Sequence, residues 1–165
     1  MTDTIIDFVE KSKELQRLTK EHNKNFRELF ASGIRHLLVD VPTVKYVSWT
    51  QYTPYFNDGE PCVFGRGDPH VVLNSTYDAE GEDAESSHWW DEEYGYSFYS
   101  IYDYKKEPRN PVNCSDDEAK DIRKVLDSIR PLFEVDNAAF KTAFGDHVRV
   151  KITHEGLWVE EIDHD

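Results

Sequence analysis

Residues 44–52 read Val-Lys-Tyr-Val-Ser-Trp-Thr-Gln-Tyr, a run rich in the β-branched and aromatic side chains that favour extended backbone. Pro42 stands just before this run, and proline removes the backbone N–H that a continuing helix would need. The run therefore predicts the first strand of a sheet, with a helical region before it.

Further extended segments are expected within residues 43–104. Asn57-Asp58-Gly59 is a tight-turn signal, so we expect residues 44–52 to pair in a hairpin with the extended segment that follows. Gly65-Arg-Gly-Asp-Pro69 predicts a second turn. The extended segments that accompany these turns are residues 62–64, 70–73 and the aromatic run 94–104.

Residues 1–40 form a helical region with Thr4 as the expected N-cap. Gly33 interrupts the pattern, so either one long helix or two helices that meet near Gly33 fit the sequence. The apolar seam is thin, which predicts packing on a sheet or, alternatively, a homodimer through this helix. Its apolar residues are Ile5, Phe8, Val9, Leu15, Leu18, Phe26, Leu29 and Phe30.

Residues 115–144 predict one or two shorter helices. Ser115 followed by Glu118 is a capping box, in which each side chain can satisfy the backbone N–H of the other residue. Pro131 is expected to end this helix, and Asp136 is expected to cap a second one.

Residues 147–162 predict a C-terminal hairpin, because residues 148–153 alternate strictly between apolar and polar side chains. Strands that cluster together, rather than alternating with helices, favour antiparallel pairing. Residues 1–165 are thus expected to form a single α+β domain: a long N-terminal helix, an antiparallel sheet of about five to six strands, helices packed on one face and the terminal hairpin.

The charge distribution points to an acidic binding surface. The chain carries 33 acidic and 19 basic side chains, a net charge of -14, which argues against direct nucleic-acid or membrane-surface binding. Nine of the acids fall within residues 78–103, which contain no Lys or Arg. An acidic loop over residues 78–93 is therefore expected to bind a partner protein with a basic surface through Glu80, Glu82, Asp83, Glu85, Trp89, Trp90, Asp91, Glu92 and Glu93.

The first residues and the cysteines predict a cytoplasmic, soluble protein. The N-terminal stretch lacks the basic flank and apolar run of a signal peptide. Cys62 and Cys114 are too few for a disulfide framework, and their spacing does not fit a zinc site. No cofactor and no catalytic residue are expected.

Two other functions remain open from the residues alone. A sponge for a small nucleotide signal, such as a cyclic nucleotide, could use Trp49, Tyr52, Tyr55 and Arg66, where aromatic rings stack on a base and a guanidinium holds an anion. A small metal-dependent or cysteine hydrolase could use Asp58 and Glu60 as metal ligands, or Cys62 and His70 as nucleophile and base.

Two segments also carry a resemblance. Residues 49–64, Trp-Thr-Gln-Tyr-Thr-Pro-Tyr-Phe-Asn-Asp-Gly-Glu-Pro-Cys-Val-Phe, and residues 145–165 resemble parts of uncharacterised small acidic proteins of tailed phages and bacteria. The resemblance implies a phage-encoded protein that acts in the host cell and carries over no catalytic residue. The function expected overall is a non-enzymatic inhibitor that blocks a host defence or nucleic-acid-binding protein through its acidic, aromatic surface.

Overall fold

A computed structural model of the chain describes residues 2–56, 58–75, 95–98 and 114–162, with side chains from residue 10 onward. It confirms the α+β class: a long N-terminal helix, an antiparallel sheet and further helices. The elements in chain order are α1 (Thr2–Val39), β1 (Val44–Tyr52), β2 (Gly65–Arg66), β3 (His70–Leu73), α2 (Asp116–Phe133), α3 (Asn137–Phe144), β4 (Val148–Thr153) and β5 (Leu157–Glu161).

Strand β1 holds the sheet together, because both of its edges are paired. Strand β4 runs antiparallel along one edge, from Tyr46 opposite Thr153 to Gln51 opposite Val148. The other edge pairs first with β3 and then, near its end, with the short strand β2. Strand β5 pairs with the outer edge of β4 and completes the predicted C-terminal hairpin.

The sheet departs from the sequence prediction in two places. The hairpin partner of β1 is β2 (Gly65–Arg66), whereas residues 62–64, predicted as that strand, belong to the connecting loop. Within the predicted aromatic strand 94–104, Tyr96 forms an isolated bridge with Val71, but Phe98 is already helical. A continuous strand is therefore wrong at Phe98, and the rest of that segment lies outside the described residues.

Helix α1 is one helix, and it begins at Thr2, before the predicted cap Thr4. Gly33 does not interrupt it, because a single glycine costs a helix only about 1 kcal/mol relative to alanine. The side chains from Glu10 to Asn25 are exposed except for two half-buried ones, and among the described side chains the part of α1 that packs against the core begins at Phe26. Residues 10–25 of α1 therefore gain little from packing.

Helix α2 begins as the capping box predicts. The Ser115 hydroxyl accepts a hydrogen bond from the Glu118 backbone N–H at 3.3 Å, and the Glu118 carboxylate accepts one from the Ser115 N–H at 2.7 Å. The helix does not end at Pro131 but continues to Phe133. A proline in the last turn removes only one helical hydrogen bond, so the chain tolerates it there.

The core lies between one face of the sheet and the helices α1, α2 and α3. Trp49 from β1 and Phe140 from α3 are among its largest fully buried side chains. The rings of Phe26, Phe30, Trp49, Phe133, Phe140 and Phe144 contact one another, with centroids 5.2 to 6.1 Å apart. Such edge-on aromatic contacts stabilise the fold beyond the burial of apolar area and fix how the helices sit on the sheet.

Candidate partner-binding loop

Residues 53–64, the connection between β1 and β2, expose apolar side chains to solvent. We call this segment the aromatic loop. Tyr55 is 69% exposed, Phe56 is 77% exposed and Val63 is 73% exposed. Single exposed apolar residues are ordinary on protein surfaces, but several on one loop are typical of a surface that contacts another molecule.

The first residue of the aromatic loop is tied to the chain after α3. The Thr53 backbone N–H donates to Asp146 Oδ1 at 2.8 Å, and the Thr53 hydroxyl donates to Asp146 Oδ2 at 2.7 Å. Lys141 Nζ lies 2.7 Å from the same Oδ2 and forms an ion pair. A carboxylate that accepts from both backbone and side chain fixes the direction in which the loop leaves β1.

A second anchor is aromatic. The Tyr55 ring stacks on His147, with centroids 4.8 Å apart and planes 15° from parallel. His147 takes a positive φ of 54°, a backbone conformation that is uncommon for a residue other than glycine. The His147 N–H donates to Asp146 Oδ1 at 3.0 Å, so the carboxylate that holds Thr53 also supports this conformation.

These contacts set the protonation of Asp146. Partial burial raises the pKa, but the hydrogen bonds from Lys141 and Thr53 together lower it to about 2, from an ordinary value of 3.8. The carboxylate is thus charged at any physiological pH, and the anchor stays formed.

We expect Asp146→Asn to lower the free energy of unfolding at pH 7 by about 1–2 kcal/mol, a range that allows for solvent screening of a partly exposed pair. Because the folded pKa lies below the unfolded one, the stabilisation is complete above pH 4 and is lost as the pH falls towards 2. Urea unfolding of both proteins at a series of pH values measures this. A difference in unfolding free energy between the two proteins that stays constant from pH 7 to pH 2 would contradict the lowered pKa of Asp146.

The turn of the aromatic loop carries the two carboxylates proposed as metal ligands. Asp58 has a φ of 41° and Gly59 a φ of 90°, so this turn needs residues that accept left-handed backbone. Asp58 and Glu60 are both exposed, and among the described residues no group of three His, Cys, Asp or Glu side chains could hold a metal ion. The backbone conformation of the turn explains why Asp58 and Gly59 occur there. The metal site at Asp58 and Glu60 remains a prediction.

The structure does not assemble the predicted nucleotide pocket. Trp49 is only 1% exposed, since it points to the helices, where its indole N–H donates to Gln51 Oε1 at 3.0 Å. Trp49 therefore cannot contact a ligand at the surface, and its predicted role is corrected. Tyr52 is half-buried at the end of β1, on the opposite face of the sheet from Trp49 and Gln51, because it follows the buried Gln51.

Arg66, the predicted anion clamp, instead joins β2 to the junction between α2 and α3. Its Nη2 donates to the carbonyl oxygens of Phe133 at 2.7 Å and Val135 at 3.0 Å, and its Nε donates to Asn137 Oδ1 at 2.6 Å. The guanidinium carbon lies 3.9 Å from the centre of the Phe140 ring. A cation at these carbonyls stabilises the end of α2.

The surroundings of Arg66 also lower its pKa, chiefly because burial disfavours the charged form, while Asp136 opposes the shift. A small cavity of about 180 Å³ adjoins the guanidinium. The Arg66 Nη1 atom has no hydrogen-bond partner among the described residues. The hydrogen bonds of Nε and Nη2 nevertheless use most of the N–H donors of Arg66 within the fold, and this favours a structural role.

The predicted nucleophile and base do not form a dyad. Cys62 is a free, half-buried thiol of the aromatic loop, and His70 begins β3. Across the part of the chain that the structure describes, no hydrogen bond joins the two side chains. His70 instead packs against the backbone at Gly95, where an added Cβ would lie 2.7 Å from the His70 Cβ.

The acidic loop over residues 78–93 lies outside the described residues. The predicted partner-binding residues within it are Glu80, Glu82, Asp83, Glu85, Trp89, Trp90, Asp91, Glu92 and Glu93, and their role stays a prediction.

Comparisons with protein-family models, with curated proteins and with solved structures found no match for this chain. The described helices include none with the length and apolar character of a membrane span. The candidate site therefore rests on the chemistry of the aromatic loop and its anchors.

Proposed function

We propose that this protein is a non-enzymatic binding protein that docks onto another protein through the aromatic loop. One observation carries the proposal: Tyr55, Phe56 and Val63 are each at least 69% exposed on a loop whose first residue is held by an ion-paired carboxylate. Exposed aromatic side chains supply much of the binding energy at protein interfaces, particularly at the centre of the contact.

The anchors make the loop suitable for docking. A loop that is already held in its bound conformation loses less conformational entropy when a partner arrives. The Thr53–Asp146 hydrogen bonds and the Tyr55–His147 stack constrain the first three residues of the loop, beside the exposed Phe56. Phe56 is therefore presented on a supported backbone.

Charge favours a partner with a basic surface. Asp58 and Glu60 lie exposed on the same loop, and the whole chain has a net charge of -14. An apolar contact with an acidic rim attracts a cationic partner and repels an anionic one such as a nucleic acid. Nine of the acids that make up this net charge fall within residues 78–103.

The finer parts of the proposal rest on the resemblance and on composition. The resemblance of residues 49–64 and 145–165 to small acidic phage proteins supports a phage-encoded inhibitor that acts in the cytoplasm of its host. The nucleotide sponge is the weaker candidate, because Trp49 is buried and most of the N–H donors of Arg66 already bind within the fold. The cysteine form of the hydrolase would need a dyad between Cys62 and His70, and the metal-dependent form would need further ligands beside Asp58 and Glu60.

The proposal is tested by capture of partners from host lysate with three proteins: wild type, the double variant Phe56→Ser/Val63→Ser and the control Trp158→Ser. Trp158 is 47% exposed on β5, so the control removes an exposed aromatic side chain elsewhere. We expect one set of proteins to be retained by wild type and control and lost by the double variant. Retention should also weaken as salt is added, since a charged rim contributes.

Identical capture by all three proteins would overturn the proposal. Thermal unfolding of each variant is the accompanying control, because side chains this exposed should change stability by less than about 0.5 kcal/mol.

A further inference from the structure

Helix α1 carries two apolar rows, and only one of them is covered. Phe30, Ile34 and Leu38 face the core and are buried. Four other large apolar side chains of α1 face solvent, and one of them, Leu15, also lines a cavity with Thr142 and Ala143 of α3. They are Leu15, 66% exposed, Leu18, 48% exposed, Leu29, 72% exposed, and Val39, 71% exposed.

The exposed row follows a seven-residue repeat. Leu15 and Leu29 are fourteen residues apart, and Leu18 and Val39 are twenty-one residues apart. These separations are two and three heptads, and the step of three from Leu15 to Leu18 is the step between the two core positions of a heptad. The remaining core positions between Leu15 and Val39 hold exposed polar residues: His22, Asn25, Ser32 and His36.

Residues 10–25 of α1 have little of the tertiary support that a helix of this length needs. From Glu10 to Asn25 its side chains are exposed apart from half-buried Ser12 and Asn23. The ion pairs of Arg17 with Glu14 and Glu21, at 2.7 and 3.1 Å, contribute little on an exposed helix, because water and salt screen them. Helices without tertiary packing are marginal in water, so cover for this row would stabilise the segment.

We propose that a second copy of the chain covers this row and that the two α1 helices pair in parallel, as a two-stranded coiled coil. A two-fold axis brings the same exposed row of each copy together, so the surface is its own complement. Four apolar positions out of eight, with Asn25 and the histidines between them, predict a weak dimer that forms with rising protein concentration.

Charge selects the parallel orientation. One flank of the row consists of the residues one before a core position, which are Glu14, Glu21, Glu28 and Arg35. The corresponding positions on the other flank are Thr19, Phe26, Gly33 and Asp40. Parallel pairing places the three glutamates against uncharged residues and Arg35 against Asp40 of the other copy, whereas antiparallel pairing places the first flank against itself, which sets glutamate against glutamate as well as against Arg35, and is disfavoured. This inference does not depend on the proposed function.

Sedimentation equilibrium of the full chain tests the pairing. We expect wild type to dimerise with rising concentration and Leu15→Gln/Leu29→Gln to dimerise at least tenfold more weakly. The matched control is Val63→Gln, an equally exposed apolar side chain on the aromatic loop, which should leave the dimer unchanged. A wild type that stays monomeric at every concentration, or a double variant that dimerises equally well, would overturn the proposal.

Cysteine cross-linking tests the orientation in a Cys62→Ser/Cys114→Ser background. In a parallel pair in register, Asn25→Cys and Ser32→Cys, made separately, each meet their own copy and should both form disulfide-linked dimers under oxidation. Antiparallel pairing can bring at most one of these positions to the two-fold axis. Cross-linking of only one, or equal cross-linking of the outward-facing control Lys20→Cys, would contradict parallel pairing.

Discussion

Replacing Gln51 by leucine is expected to lower the free energy of unfolding by about 3–5 kcal/mol, because three buried polar groups lose their partner at once. Gln51 is fully buried in β1. Its Nε2 donates to the carbonyl oxygens of Phe140 at 3.1 Å and Gly145 at 2.6 Å, and its Oε1 accepts from the Trp49 indole. A leucine of similar size would satisfy none of these groups.

The same network links the fold to the aromatic loop. Gln51 holds the end of α3 against β1, and Asp146, which anchors Thr53, follows directly after Gly145. Chemical denaturation measures the loss, and Gln16→Leu, the same change at an exposed position of α1, should alter stability by less than about 0.5 kcal/mol. A loss below about 1 kcal/mol for Gln51→Leu would show that water or a rearranged side chain replaces the amide.

Phe140→Ala is the second change with a large expected effect, again about 3–5 kcal/mol of unfolding free energy. The Phe140 ring is fully buried, with its centre 5.2 Å from that of Phe30 and 5.4 Å from that of Phe133. It also lies under the Arg66 guanidinium. Removing the ring leaves a cavity where three helices meet the sheet and takes away a cation–π contact.

Two controls separate this effect from the loss of an aromatic ring in general. Phe140→Leu keeps most of the volume and should cost less than half as much as Phe140→Ala. Phe56→Ala removes a ring that is 77% exposed and should change stability by less than about 0.5 kcal/mol. Equal losses for Phe140→Ala and Phe56→Ala would contradict the described core.

Local signals in the sequence predict much of this fold. The α+β class follows from the clustering of strand patterns, and the capping box at Ser115 and Glu118 marks the start of α2 correctly. The terminal hairpin follows from the alternation in β4, where Val148, Val150 and Ile152 are buried. Each of these features depends on residues close together in the chain, which is why a sequence pattern contains them.

The candidate site depends on contacts that a local pattern does not contain. Thr53 and Asp146 are separated by 93 residues, and only the pairing of β1 with β4 brings them together. Arg66 stands out in the sequence as an isolated base, but its partners at the end of α2 are 67 to 71 residues away. The unusual aromatic composition of residues 49–64 does indicate a special segment, although it does not distinguish the buried Trp49 from the exposed Phe56.

The two rows of α1 show the same difference between pattern and environment. The sequence presents Leu15, Leu29 and Phe30 as members of one thin seam, since all three fit a helical spacing. The fold buries Phe30 and leaves both leucines exposed, because Leu29 points about a quarter turn away from Phe30 and Leu15 precedes the part of α1 that packs on the core. The tests of self-association described above measure whether a second copy of the chain covers the exposed row.

The most direct test of the binding function is the dissociation constant of the purified, captured partner, measured by calorimetry. Phe56→Ser/Val63→Ser should bind at least tenfold more weakly than wild type, a loss of about 1.4 kcal/mol that two exposed apolar contacts readily supply. Trp158→Ser should bind as wild type does. Equal dissociation constants for wild type and the double variant would contradict docking through the aromatic loop.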